Sequence, residues 1–420
     1  MSFLEFQKSP KNFSFRDVLF IVSVFACLLL LFEGNVFLAN LLPPSGEFIL
    51  MREGARTFLF DNLDPYSSSV PAQVQEKVYQ RPAENGEEPY ILDVPFHLLL
   101  PYFPFALGNE IFARGAFFFL LEISLFLTVF FGMRLAGWEP TSLHLILFFI
   151  VSLLNFYTIN AFLNGAPTIF LLLTYAGIIF SLQNDQDELA GALLVFACIQ
   201  WEIGGAFFLL MMFYVFRSRR WQVLVGFAML TFVLMAISYL LYPGWIMPFL
   251  RAAYNNWIAD FGFSMRHVAQ YIWLQQSVLI SRILTCIIVV ILGYEWSKVS
   301  DKDFRRLYWT SCLTLSIAPF LGFRIELEQL VVLILPLGLI LKVMSGRWER
   351  FGNIITLTFL ILYFVIPWLI FLQAVPRFGH KAQEILFLFL PALTVVGLYW
   401  IRWWALHPPR TWADERDNIR

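Results

Sequence analysis

The chain contains about twelve apolar runs, each close to the length of a membrane-spanning helix, and no other feature constrains its fold as strongly. A helix needs ~20 predominantly apolar residues to cross the hydrocarbon core of a bilayer. Hydrophobic residues make up 59% of the chain and charged residues 14%, whereas soluble domains carry more charge. These patterns predict an all-α fold, a polytopic integral membrane bundle of about twelve transmembrane helices.

The predicted spans cover almost the whole sequence. This favours a single transmembrane domain over residues 1–405, followed by a polar cytoplasmic tail over residues 406–420. The approximate spans are 18–42, 92–107, 112–133, 141–159, 166–183, 189–216, 222–242, 276–296, 307–322, 327–343, 353–373 and 384–404.

The run over residues 189–216 is long for one helix, and polar residues and glycines interrupt it from Gln200 to Gly205. We interpret it as one span, because two spans there would invert the orientation of every earlier segment, against the pattern of basic residues.

Basic residues between the spans predict the orientation, because cytoplasmic loops collect Lys and Arg. With twelve spans the basic clusters fall on one side, at Lys8, Lys11 and Arg16, at Arg217, Arg219 and Arg220, at Lys298, Lys302, Arg305 and Arg306, at Lys342, Arg347 and Arg350, and at Arg402, Arg410, Arg416 and Arg420. The other side receives the acidic segment 43–90 and the acidic loop at Asp185, Asp187 and Glu188. We therefore expect a multi-pass protein of the plasma membrane with both termini in the cytoplasm.

Several function classes find no support in the sequence. The net charge of -1 gives no indication of nucleic acid as a partner. The four cysteines are scattered through apolar runs, and the five histidines lack the spacing of a metal motif. We expect neither a metal ion nor a cofactor, and the lipid bilayer is the one partner that composition alone indicates.

Two long loops are predicted on the outer side, at residues 43–91 and 243–275. In the first, apolar residues recur with an imperfect helical period between Phe48 and Phe60, which indicates an amphipathic interfacial helix lying on the membrane surface. The second loop is rich in Trp and Tyr, which suit the headgroup zone of a bilayer. Both loops could face one cavity at the membrane surface.

This order of elements resembles the GT-C superfamily of membrane glycosyltransferases and is similar to glycosyltransferase family 87, the polyprenyl-phosphate-mannose-dependent mannosyltransferases. The resemblance lies in "GEFILMREGARTFLFDNLDPY" (46–66), "EPYILDVPFHLLLPYFPFALG" (88–108), "NGAPTIFLLLTYAGII" (164–179), "CIQWEIGGAFFLLMMFYVFRSRRWQVLVGF" (198–227) and "LSIAPFLGFRIELEQLVVLILPL" (315–337). It implies a GT-C-type bundle that transfers a hexose, with mannose as the first candidate, from a polyprenyl phosphate to a lipid-linked or cell-envelope glycan.

The family usually carries Asp where this chain has Glu47, and its Lys-Pro pair is missing near Gln200 and Trp201. Transfer from a lipid phosphate needs one base for the acceptor hydroxyl and a cation for the departing phosphate. Glu47 is the candidate base, and the alternative is a helix N-terminal charge favoured by the helix dipole. Asp64 is the second catalytic candidate, and the alternative is a turn former before Pro65.

Candidates for binding the donor phosphate are Arg266, His267 and Arg324, because each lies on the predicted outer side and can donate charge-assisted hydrogen bonds. Their alternative is contact with lipid headgroups or water. Further candidates for lining the sugar or acceptor pocket are Tyr66, Asn164, Trp257 and Tyr271, although aromatic residues at a membrane interface are usually anchors.

A transporter or flippase is the rival class, in which Glu122, Glu202 and Arg282 would line a pathway through the bundle. Structural pairing of the two carboxylates is the simpler explanation. A third hypothesis is an inactive GT-C relative that acts as a scaffold. The large outer loops and the absence of visible inverted repeats favour the enzyme.

Overall fold

A computed structural model describes residues 15–84, 86–259, 261–272, 275–300, 303–347 and 351–407. Within these ranges the chain is helical, and the one β interaction is an isolated antiparallel bridge between Phe263 and Ile325. The prediction of an all-α protein is confirmed. Most of residues 406–420 lie outside the described ranges.

The first half of the chain forms ten α-helices. They are α1 (Phe15–Leu41), α2 (Gly46–Phe60), α3 (Ser69–Tyr79), α4 (Phe96–Leu99), α5 (Phe103–Ala106), α6 (Glu110–Ala136), α7 (Ser142–Leu154), α8 (Phe156–Asn164), α9 (Thr168–Gln183) and α10 (Asp187–Leu194).

The second half forms ten more. They are α11 (Trp201–Ser218), α12 (Trp221–Leu241), α13 (Ile246–Ile258), α14 (Met265–Ile272), α15 (Ser277–Ser297), α16 (Phe304–Ile317), α17 (Ile334–Arg347), α18 (Gly352–Leu369), α19 (Val375–Phe378) and α20 (His380–Leu406). Short 3₁₀ segments occur at Leu100–Tyr102, Ala318–Phe320 and Leu327–Leu333, and a π segment at Ile370–Ala374.

Seven helical segments are long and apolar enough to cross a membrane, and an eighth follows if α7 and α8, bent by 47°, form one span. The seven are Asp17–Leu41, Glu110–Ala136, Trp221–Leu241, Ser277–Ser297, Leu327–Arg347, Gly352–Phe378 and Ala382–Leu406. Large apolar side chains on their surfaces are exposed, as Phe20, Leu30 and Phe232 show. A lipid environment explains this exposure, so the chain is an integral membrane protein. The count of about twelve stays a prediction.

Helices α1 and α6 pack antiparallel and closely. A side chain on Gly115 would lie 2.6 Å from the Cα atom of Val36, so the contact needs glycine. The Arg114 guanidinium donates hydrogen bonds to the Leu42 carbonyl at 2.8 Å, the Pro43 carbonyl at 3.1 Å and the Ala39 carbonyl. Because these carbonyls end α1, Arg114 fixes the turn from which α2 starts. We call this end of the bundle the α2 end.

Helix α2 is enclosed by protein rather than lying on the membrane surface. Ten of its fifteen residues are buried, including Arg52 and Glu53. Arg52 donates to Glu53 at 2.7 Å and to two backbone carbonyls before α6, while Lys77 of α3 pairs with Glu53 at 3.0 Å and Glu110 at 2.6 Å. The prediction of an interfacial helix is wrong here, because these ion pairs let the helix bury its polar face as well.

Helix α13, in the second outer loop, does have the amphipathic form. Ala252 faces the protein and is buried, whereas Met247, Leu250, Tyr254 and Trp257 are 72%, 51%, 64% and 60% exposed. This spacing puts the exposed side chains on one helical face, as expected of a helix at a membrane interface.

The run over residues 92–107 does not cross the bundle. Pro101 and Pro104 divide it into two short α-helices and a 3₁₀ turn, because proline lacks the N–H that a continuous helix needs. At its start Phe96 packs against Phe58 of α2, with ring centroids 4.8 Å apart, and after its end Glu110 binds Lys77 of α3. Both ends lie at the α2 end, so the prediction of a span here is wrong.

The prediction of one helix over residues 189–216 is also wrong, because α10 and α11 form two separate arms. Gln200, between them, accepts a hydrogen bond from Thr168 at 2.7 Å, and Thr168 begins α9. A side chain on Gly204 would lie 1.8 Å from the Ala197 carbonyl oxygen, so the turn packs tightly onto α11.

The acidic loop at Asp185 and Asp187 lies beside Arg220 rather than on the opposite side of the bundle. Arg220 binds Asp185 at 2.5 Å and Asp187 at 3.4 Å and donates to the Leu182 carbonyl. Opposite charges brought together by α9, α10 and α12 explain the correction. We call this the opposite end of the bundle.

This topology predicts the accessibility of introduced cysteines. In a variant whose native cysteines are replaced by alanine, Gln186→Cys and Gln222→Cys should react with a membrane-impermeant maleimide from the same face of sealed, oriented vesicles. Glu84→Cys should react from the other face. Labelling of Gln186→Cys together with Glu84→Cys would contradict the hairpin formed by α10 and α11.

The buried ion pairs of α2 predict a large stability difference between two arginines. Arg52→Ala should cost about 3–5 kcal/mol of unfolding free energy, because it leaves Glu53 buried with one cation fewer. Arg81→Ala removes an exposed pair with Glu87 and should leave the unfolding midpoint of the detergent-solubilised protein unchanged. Equal midpoints for the two variants would show that the buried network contributes no stability.

Candidate active site

Three carboxyl groups meet at the α2 end of the bundle. Glu47, Glu88 and Glu326 each offer a carboxylate oxygen, and these oxygens lie within 4.8 Å of one another. All three side chains are half-buried, so the protein surrounds the group without sealing it off. We call Glu47, Glu88 and Glu326 the carboxylate cluster.

Glu47 and Glu88 face each other because Tyr90 packs onto the start of α2. A side chain on Gly46 would lie 2.3 Å from the Tyr90 hydroxyl, so only glycine allows this contact. Tyr90 has a φ of 51°, in the left-handed region that bulky residues avoid. Such strain persists where surrounding contacts hold it, and it is common near functional sites.

Glu326 comes from the turn between α16 and the next 3₁₀ segment. Phe263 and Ile325 exchange two backbone hydrogen bonds of 2.8 Å, which tie this turn to the second outer loop. Ile325 is fully buried. Because side chains alternate along an extended segment, Arg324 and Glu326 share the opposite face.

Glu328 adds a fourth carboxyl group behind the cluster. Its side chain is 1% exposed, and its Oε2 atom accepts a hydrogen bond from Asn164, the last residue of α8. Its carboxyl group also contacts that of Glu326. The Oε1 atom of Glu328 is buried without a hydrogen-bond partner.

Burial and mutual repulsion make the carboxyl groups of the cluster harder to ionise than free ones. Burial, followed by the charge of Asp93, raises the pKa of Glu47 to about 7, while a hydrogen bond shared with Glu88 acts in the other direction. Burial and the neighbouring carboxylates raise the pKa values of Glu88 and Glu326 well above their ordinary range. The charge of Glu202, at the start of α11, contributes to the shift of Glu326.

Aromatic side chains line the same region. Trp201 stacks on Trp257 of α13 with ring centroids 5.3 Å apart, and the edge of Phe323 lies 4.9 Å from Trp201. Asn256 of α13 donates a hydrogen bond to Asp93 at 2.8 Å. One region is therefore surrounded by four parts of the chain, namely the first outer loop, the start of α11, α13 and the turn before Glu326.

Several predicted site residues come together here. Glu47 belongs to the cluster, Asn164 reaches it through Glu328, and Arg324 lies in the segment that carries Glu326. The backbone N–H of His267 donates to the Ser264 carbonyl at 3.0 Å, close to the bridge at Phe263, whereas the Arg266 side chain is exposed. The Tyr271 side chain lies outside the described residues.

Asp64 and Tyr66 brace the first outer loop. The Asp64 carboxylate accepts the Tyr66 backbone N–H at 2.9 Å, which is the turn-forming role of Asp. The Tyr66 hydroxyl donates to the Val94 carbonyl at 2.9 Å, and its ring contacts Phe249. A catalytic role for Asp64 stays a prediction, and the observed contacts support the structural alternative.

Glu88, Glu326 and Glu328 were not among the site residues predicted from the sequence. The available signal was the pair of glutamates in "RIELEQ", which directly precedes an apolar run. Glu122, by contrast, accepts a hydrogen bond from Asn35 at 2.7 Å across the contact between α1 and α6, which is a structural pairing.

Neither the protein-family models nor the sequences of curated proteins match this chain. What the α2 end of the bundle binds must therefore be judged from its chemistry.

Proposed function

We propose that this protein is a membrane glycosyltransferase with a GT-C-type bundle of twelve passes. It transfers a hexose, with mannose as the first candidate, from a polyprenyl phosphate to a lipid-linked or cell-envelope glycan on the extracytoplasmic face of the plasma membrane. The observation that carries the proposal is Glu47, which follows the end of α1 and joins the carboxylate cluster in the region that Trp201 and Trp257 line.

The path of the chain supports twelve passes with both termini at the opposite end. The passes are α1, α6, α7 with α8, α9, α10 with its turn, α11, α12, α15, α16, the 3₁₀ segment with α17, α18 with α19, and α20. Residues 92–107 remove one pass from the predicted twelve, and the division of residues 189–216 adds one, so the total is unchanged.

Basic residues support a cytoplasmic location of the opposite end, which places the carboxylate cluster outside. Those at the opposite end include Arg134, Arg217, Arg219, Arg220, Lys298, Arg305, Arg306, Lys342, Arg347 and Arg402.

The proposed reaction needs one base and one cation. The acceptor hydroxyl oxygen forms a bond to the anomeric carbon of the donor, the bond between that carbon and the phosphate oxygen breaks, and the hydroxyl proton passes to Glu47. Polyprenyl phosphate leaves as a stable anion, so its oxygen needs no proton from an acid. Arg324 would bind that phosphate, and the faces of Trp201 and Trp257 would pack against a sugar ring.

The hydrogen bond that Glu122 accepts from Asn35 favours a structural role for Glu122 over the transporter alternative. Arg282 is exposed on the surface of α15. Glu202 contributes to the potential at the carboxylate cluster, so its charge also belongs to the proposed site.

Replacing the candidate base tests the proposal. Glu47→Gln should lower transfer from a labelled polyprenyl-phosphate hexose about 10²–10⁴-fold, because the amide keeps the size of the side chain but cannot accept the proton. Glu84→Gln, on the same loop but exposed, is the matched control and should retain activity. Full transfer by Glu47→Gln would refute the base assignment, and absence of transfer by the unmodified protein with every donor tried would refute the function.

The proposed contact of Arg324 with the donor phosphate predicts a second kinetic effect. Arg324→Gln should lower kcat/KM for the donor about 10²–10³-fold, since it removes a charge that stabilises the departing phosphate. Arg324→Lys should recover part of this loss, because it restores charge without the planar geometry. Arg251→Gln, exposed on α13, serves as the control. An equal kcat/KM for Arg324→Gln and Arg251→Gln would exclude Arg324 from phosphate binding.

A further inference from the structure

We propose that Glu47, Glu88 and Glu326 form a binding site for one divalent cation of the magnesium, manganese or calcium class, with Glu328 next to it. From the sequence alone we expect no metal ion, because the chain contains no ligand motif. The site arises from three segments that only the fold brings together.

The geometry suits a hard cation. Such ions bind carboxylate oxygens at about 2.0–2.6 Å, so oxygens on opposite sides of one ion are ~4–5 Å apart. The three oxygens of the cluster lie within 4.8 Å of one another, which meets this requirement. The side chains are half-buried, so an ion could enter and could keep positions for further oxygen ligands.

Glu328 is a separate indication of a bound cation. Its Oε1 atom is buried and has no hydrogen-bond donor, although the side chain is 1% exposed. Asn164 donates a hydrogen bond to the other oxygen, and the carboxyl group lies close enough to that of Glu326 to share a hydrogen bond with it, so Glu328 is directed at the cluster. A buried carboxylate oxygen without a donor costs free energy, and a cation bound to its neighbours would offset that cost.

Other acidic residues near α2 form salt bridges, whereas in the described part of the chain the carboxylate cluster does not. Glu53, on the same helix as Glu47, and Glu110 are paired with Arg52 and Lys77. Among the described residues, no salt bridge involves a residue of the carboxylate cluster. The chain supplies its own cations to the structural carboxylates and leaves this cluster to an external one.

The ligand chemistry narrows the choice of metal. The cluster offers carboxylate oxygens, with neither His nor Cys in the group. Oxygen ligands suit magnesium, manganese and calcium, whereas zinc sites usually contain nitrogen or sulfur ligands.

A role in transfer follows only if the proposed function holds. The anionic phosphate of a lipid-linked donor would be repelled by the ionised carboxylates of this region. A divalent cation would offset part of that charge and bind phosphate oxygens at its open positions, as metal ions do at other phosphate sites, while the second carboxylate oxygen of Glu47 accepts the hydroxyl proton.

Manganese binding in the absence of donor tests the site independently of activity. The full chain in detergent or nanodiscs should remove free Mn²⁺ from solution, measured by its electron paramagnetic resonance signal, with one ion bound per chain. Mg²⁺ should compete. Glu88→Gln and Glu326→Gln should each weaken binding about 10–100-fold or more, and Glu84→Gln, exposed on the same loop, should bind like the unmodified protein.

Two results would overturn the cation site. One is an absence of Mn²⁺ binding to the folded, unmodified protein up to millimolar concentration, and the other is unchanged affinity in both Glu88→Gln and Glu326→Gln. If Glu326→Gln does not fold, the weaker variant Glu328→Gln replaces it, and unchanged affinity there counts equally. Mn²⁺ binding without hexose transfer would refute the proposed function alone.

Discussion

The structure depends on the Arg114 guanidinium, which binds one carbonyl in the last turn of α1 and two just after it from the first turns of α6. A charged group held by carbonyl oxygens at a helix C-terminus compensates its own burial and satisfies carbonyls that would otherwise have no partner. Gly115 lets the two helices approach closely enough for this contact. Because α2 starts directly after these carbonyls, the position of Glu47 follows from the packing of α1 on α6.

Two groups of acidic residues at the α2 end of the bundle differ in whether basic side chains pair with them. Around α2, Arg52 and Lys77 neutralise Glu53 and Glu110, and this network fixes the helix inside the protein. The carboxylate cluster has no such partners among the described residues and remains partly open. Retaining repulsion of this kind costs stability, which is expected where a protein keeps a site ready for a ligand. The proposed transfer reaction and the proposed cation site both require carboxylates that are partly open and not paired with basic side chains.

The membrane class and the helical content could be predicted from the apolar runs, because burying a backbone in lipid requires helices that satisfy their own hydrogen bonds. The path of two runs could not be predicted from hydropathy. The run before α6 is broken by Pro101 and Pro104, and the run that became α10 and α11 turns where Gly204 meets Ala197. Apolarity shows that a segment can lie in a bilayer, but it does not show where the segment ends.

Local composition was enough to predict a helical chain embedded in a membrane, and the position of Glu47 after the first span was enough to make it a candidate. Which acids join Glu47 becomes visible in the fold alone, because Glu88 and Glu326 are far from Glu47 along the chain. Their approach depends on the contact of Tyr90 with Gly46 and on the bridge between Phe263 and Ile325. Contacts between distant segments are set by packing and backbone pairing, which no local pattern encodes.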